Sequence, residues 1–144
     1  MENQRSEKIL SAWLKMTTII NNDKITGTLP FNEAMICRCL YENRDENVIA
    51  SQLCQWMHMK KSQMNRTLIN MENKNLIHRI RNTEDKRQIF IVLNDEMNEV
   101  YQKQHQKILQ IVDDICNELG EEKTEEVLSL FSLISNIAEN KINS

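Results

Sequence analysis

Glycine and proline are nearly missing: the 144 residues contain 2 Gly and 1 Pro. That scarcity excludes glycine-rich phosphate loops, meanders of tight hairpins and collagen-like repeats, and it favours long helices. Aromatic residues are 5% of the chain, and no run approaches the roughly 18 apolar residues that a bilayer-spanning helix requires. The first ten residues, MENQRSEKIL, hold no apolar signal region, so the expectation is a cytoplasmic protein with no membrane partner. The four cysteines (Cys37, Cys39, Cys54, Cys116) show no CxxC spacing and fall within helical patterns, which reads as buried free thiols. Cys37 and Cys39 stand about 200° apart around a helix and cannot bridge each other without unfolding it. At 17.0 kDa there is room for one domain with extra helices, not for two catalytic lobes.

What is present is apolar enough to fold, with 40% hydrophobic and 27% charged residues. The net charge of −3 is unevenly placed. Between Lys60 and Arg87 eight bases face three acids, a local +5, which leaves −8 for the remainder. A basic middle between acidic helices suits a surface that meets phosphates while the rest stays in solution.

Apolar periodicity predicts helices over about 5–21, 32–42, 49–57, 60–74, 94–120 and 121–141. The polar stretch Asn21 to Thr28 reads as a loop, and Pro30 opens the second helix, where its missing N–H is harmless. In the fourth helix Met64, Leu68 and Met71 form the inward stripe, and the outward face reads as hydrogen-bonding throughout. Asn75 then stands where a left-handed residue should stop the helix. Residues 77–82 and 88–93, joined by a charged tip, predict a β-hairpin. Asn94, Asp95 and Glu96 make an Asx-capped start for the long helix, and Gly120 its stop.

Two short helices joined by a sharp turn, with Ser, Gln, Asn and Arg outward on the second, have the form of a helix-turn-helix whose second helix enters the major groove. Arg66 can address guanine, Gln63 or Asn65 adenine, and Ser62 a base or a phosphate, with Lys60 and Lys61 adding charge beside them. The hairpin, carrying Arg79, Arg81, Lys86 and Arg87, would be a wing along the backbone or minor groove. The fold class is therefore mainly α with a small β-hairpin wing (α+β), a winged helix-turn-helix flanked by N- and C-terminal dimerisation helices.

From Leu29 to Asn94 the sequence resembles the MarR family of bacterial transcription regulators. The similarity is carried by LPFNEAMICRCLYE, by SQLCQWMHMKKSQMNRTLINMENKNLIHR, and by DKRQIFIVLN, in which Asp85 and Arg87 occupy the DxR positions of the wing. His58, Asn75 and Met97 stand where that family often has Gly, and Lys60 offers no capping oxygen. The resemblance implies that Ser62, Gln63, Asn65 and Arg66 read the groove, that Arg87 is the wing arginine, and that Asp85 is its local partner. It divides the chain into an N-terminal dimerisation helix and loop (1–28), the DNA-binding domain (29–94) and C-terminal dimerisation helices (95–144).

Ile9, Trp13, Phe131, Ile134 and Ile137 are the expected dimer interface, and two-fold symmetry makes the partner a pseudo-palindromic double-stranded DNA. A small-molecule effector would sit in a cleft walled by Trp13, Met16, Met35 and Tyr41, and release a repressor from its operator. No HExxH, nucleophile elbow or phosphate loop suggests an enzyme, and no cofactor is implied. His105 has no second His at i+3 or i+4, so no metal site is expected. A thiol- or metal-responsive regulator of the same fold, or a winged-helix protein-interaction module without DNA binding, are the alternatives.

Overall fold

The computed structural model describes residues 2–22 and 29–143; most of the loop expected at 21–28 lies outside them. Among the described residues eight elements follow in order: α1 (Glu2–Ile20), α2 (Phe31–Glu42), α3 (Ala50–Met57), α4 (Lys61–Asn73), β1 (Ile77–Arg81), β2 (Ile89–Leu93), α5 (Asp95–Leu119) and α6 (Glu121–Ile142). Each expected helix is present, with ends displaced by up to three residues. Contacts divide the chain into a unit ending at His105 and a second beginning at Gln106, so the division falls inside α5.

The core of the first unit is built from the inward stripes of α2, α3 and α4 and from the hairpin. Ile36, Cys37 and Leu40 meet Leu53, then Met64, Leu68 and Met71, closed by Ile77, Ile91 and Leu93 and by Met97 and Tyr101 of α5. Seven of these side chains are below 2% exposure, so the first unit has a close-packed core of its own. Pro30 (φ −55°) caps α2, and its carbonyl accepts the Ala34 amide at 2.9 Å. In α3 the Gln52 Oε1 accepts the Ile49 amide at 2.9 Å, half of a capping box.

β1 and β2 pair antiparallel with Ile77 opposite Leu93 and Arg81 opposite Ile89. A third short segment joins them: the Ile91 amide donates to Val48 O at 2.7 Å and Ile49 bridges Phe90. The sequence expectation puts Ile49 inside the helix over 49–57; it is instead the strand-like entry to α3, and the β-branched pair Val48-Ile49 is its signal.

The outer helices contrast with this core. Every described side chain of α1 is exposed, and α6 buries none of its residues. Gly120 (φ +86°) takes up the Cys116 carbonyl through its amide at 2.9 Å and separates α5 from α6, the stop expected of it.

Candidate nucleic-acid interface

The turn between α3 and α4 depends on one residue in the left-handed region. His58 has φ 51°, and the next amide, Met59, donates to Cys54 O at 3.0 Å, closing α3. Lys60 then runs extended and supplies the first helical acceptor, its carbonyl taking the Met64 amide at 2.9 Å, but no side-chain cap. α4 turns Met64, Leu68 and Met71 fully inward, which fixes Lys61, Ser62, Gln63, Asn65 and Arg66 as exposed on the other side. That face is not hydrogen-bonding throughout: Ile69, 49% exposed, interrupts it.

Asn75 ends α4 at φ 61°, the left-handed position expected for it. The Asn94 side chain does not serve simply as a helix cap. Its Nδ2 donates to Asn75 O at 2.6 Å and its Oδ1 accepts from His78 Nδ1, so it ties the turn after α4, the first wing strand and the start of α5 together. The backbone carbonyl of Asn94 meanwhile takes the Asn98 amide at 3.0 Å, which is the first helical bond of α5.

The basic stretch is less free than its count. Lys74 is bidentate to Glu33, at 2.9 and 3.0 Å, and the Glu33 side chain is 7% exposed, so this lysine neutralises a buried carboxylate from α2. Arg79 is half-buried against Glu72, with Nε 3.4 Å from Oε2, an ion-pair distance without hydrogen-bond alignment. At the wing tip, Arg81 Nη1 donates to the Lys86 carbonyl at 2.6 Å. Asp85 Oδ1 accepts from both the Arg87 amide, at 3.1 Å, and Arg87 Nε, at 3.2 Å, while the Arg87 side chain remains 92% exposed. Asn82 and Gln88 close the loop side chain to side chain at 3.0 Å. The structure therefore brings Ser62, Gln63, Asn65 and Arg66 onto one exposed helix face and puts Lys86 and Arg87 on an exposed wing tip; Arg79 it turns toward the domain. Of the residues that hold this arrangement, Asn94 is expected from the sequence only as the cap of α5, and Glu33 is not singled out. The sequence signal for Glu33 is its helical register with the apolar residues Ile36, Cys37 and Leu40.

Of the expected interface residues, Trp13 is 63% and Phe131 51% exposed, and Ile9, Ile134 and Ile137 are at least half exposed. Of the expected effector wall, Trp13 and Met16 are exposed and Met35 is half-buried. Tyr41 is taken up by other contacts: its ring lies 4.9 Å from that of Tyr101, Arg44 covers it at 4.5 Å, and Gln102 Nε2 donates to its hydroxyl at 2.8 Å. A cleft of about 440 Å³ lies elsewhere, lined by Leu29, Lys74, Asn75, Leu76, Glu96, Met97, Val100 and Gln104. Among the described residues no three His, Cys, Asp or Glu are placed to hold a metal ion. Burial pushes the Cys37 thiol up to about 12, with Glu33 adding to the effect, and burial also raises Cys39.

Residues 18–104 match the family model described as transcriptional regulator SarA/Rot, well over half of the chain and all of the helix-turn-helix and wing. The chain belongs to the SarA/Rot family of transcriptional regulators. Its fold is shared with solved MarR-type proteins. Streptococcus pneumoniae FabT, in complex with DNA, matches with a TM-score of 0.77 and 17% identity over 96% of this chain and 98% of that one. AbsC, a MarR family transcriptional regulator from Streptomyces coelicolor, has a TM-score of 0.77 and 21% identity over 96% and 95%. The S. aureus MepR–DNA complex has 0.73 and 17% over 88% and 96%. No curated protein matches by sequence. This SarA/Rot member is thus a transcriptional regulator with the winged-helix fold, and not an enzyme. No described helix is long and apolar enough to cross a membrane.

Proposed function

We propose that this regulator acts as a cytoplasmic homodimer that inserts α4 of each protomer into successive major grooves of a pseudo-palindromic duplex, lays its wings on the flanking backbone, and represses until a small molecule releases it. The observation that carries the reading is the exposed face of α4. Ser62, Gln63, Asn65 and Arg66 stand on a helix anchored by three fully buried side chains, so base-reading groups are held on a rigid support. Arg87, oriented by Asp85 and fully in solvent, is the wing's phosphate or minor-groove contact, with Lys86 beside it.

The homodimer rests on α1 and α6. Leu128, Leu130, Phe131, Leu133, Ile134 and Ile137 are all at least half exposed, and so are Ile9, Trp13, Leu14 and Ile19. Apolar surface on this scale is covered in a soluble protein by a partner, and a second copy supplies the two-fold symmetry that a two-half-site operator needs. For release, the 440 Å³ cleft adjoins the end of α4 through Lys74 and Asn75, so an occupant there can bias the setting of the reading helix. Burial keeps the Cys37 and Cys39 thiols protonated, which argues against these two as oxidant sensors, because the reactive form is the thiolate.

The test is selection of bound sequences from random duplex DNA, followed by anisotropy titration. A two-fold symmetric motif is expected, with affinity that falls steeply with salt. Arg66→Ala should cost about 1 to 3 kcal/mol and relax preference at one base pair, whereas Arg87→Ala should weaken all duplexes alike. Binding that ignores salt, or that ignores both substitutions, would refute the reading.

A further inference from the structure

We infer that Ile69 is a specificity-determining residue that recognises the C5-methyl group of a thymine in each half-site. The inference rests on α4 being the groove-reading helix. Single exposed isoleucines are common on protein surfaces; this one is set apart by its position. Ser62, Asn65, Arg66 and Asn73 precede or follow it by seven, four, three and four residues, so Ile69 stands inside the polar face, on the side away from Met64, Leu68 and Met71. It is 49% exposed and belongs neither to the core nor to the half-buried side chains packed on that core.

The position is disadvantageous in the free protein on two counts. A β-branched residue lowers helix propensity, and its apolar surface faces water. Both are offset if the side chain is buried when α4 is docked. In the major groove the apolar group within reach of a helix is the thymine methyl, since the remaining base edges there present donors and acceptors. One helical turn is about 5.4 Å and the duplex rises about 3.4 Å per base pair, so Ile69 addresses a pair one or two steps from that read by Arg66.

The experiment uses the full chain and the selected duplex, with each thymine replaced in turn by deoxyuridine, which removes only the methyl. Wild type should lose about four-fold in affinity at one thymine per half-site, the burial value of a single methyl, and lie near unity at the others. Ile69→Ala should bind the thymine and deoxyuridine duplexes equally at that site, and Ile69→Val should retain the preference. Alanine is the better helix former, so this variant keeps its fold, and its thermal melt provides the control. Indifference of wild type to every deoxyuridine, or an unchanged preference in Ile69→Ala, overturns the inference while leaving DNA binding intact. Failure of wild type to bind any selected duplex overturns both.

Discussion

Replacing Lys74 by methionine separates a structural charge from a DNA-binding one. Lys74 lies in the basic stretch, but its ammonium is bidentate to Glu33, and removing it leaves a carboxylate whose side chain is 7% exposed without its cation. Breaking a fully buried pair costs about 3 to 5 kcal/mol. Here the lysine side chain is 48% exposed, so water entering along its path rehydrates part of the carboxylate, and about 2 kcal/mol is the expected loss. With a urea slope of about 2 kcal/mol/M the unfolding midpoint falls by about 1 M, measured at fixed protomer concentration because a dimer's stability depends on it. Glu33→Leu combined with Lys74→Met removes both charges and should recover most of the loss, which gives a favourable coupling energy in the double-mutant cycle. The same variant makes a second, opposite prediction on DNA. Because the ammonium is already neutralised, Lys74→Met should leave the salt dependence of binding unchanged, whereas Lys61→Met should lower its log–log slope by about 0.9. A Lys74→Met protein within about 0.5 kcal/mol of wild type, or one whose salt slope drops as that of Lys61→Met does, would refute the assignment.

Other substitutions test other parts of the frame. Asn75→Ala should cost about 1 to 2 kcal/mol by forcing a Cβ residue without Asn's local compensation to stay left-handed, while Asn75→Gly should remain near wild type in thermal melts. Asn94→Ala, which deprives His78 Nδ1 and the Asn75 carbonyl of their partner, should destabilise by about 1 to 2 kcal/mol, read by urea titration. If the proposed dimer is the working form, Phe131→Glu should yield a monomer in sedimentation and weaken operator binding without altering the first unit's core. Cys37, held at about 12 in the fold against an ordinary 9.0, keeps its proton while the unfolded chain loses one, so unfolding free energy should fall as pH rises from 9 to 12; Cys37→Ala should flatten that limb.

The helices were legible because their inward residues repeat with one period: Met64, Leu68 and Met71 fixed the face of α4 and, by opposition, the polar set beyond it. The turn residues were legible for a similar reason, since Asn75 and Gly120 are types that the left-handed region selects. Contacts made across long sequence separation were not. Nothing local marks Lys74 as the partner of Glu33, forty-one positions away, or tells that Asn94 spends its amide on His78 and Asn75. Arg79 illustrates the same limit. Strand alternation sets it on the face of Ile77, but only packing against α4 shows that Glu72 holds it. Ile69 was passed over because its neighbours are polar, and one apolar residue in such a row carries no periodic signal.

The two ends of the wing are built to different rules. Its base is joined to α4 and α5 through the side chain of Asn94, so the segments entering and leaving the hairpin can be exchanged only as a matched set. Its tip is held by contacts among its own residues, Asn82 with Gln88, Arg81 with Lys86 and Asp85 with Arg87. The tip is therefore a portable module: a loop of different length or charge, grafted between Arg81 and Ile89, would change the reach along the duplex and leave the setting of the reading helix where it is.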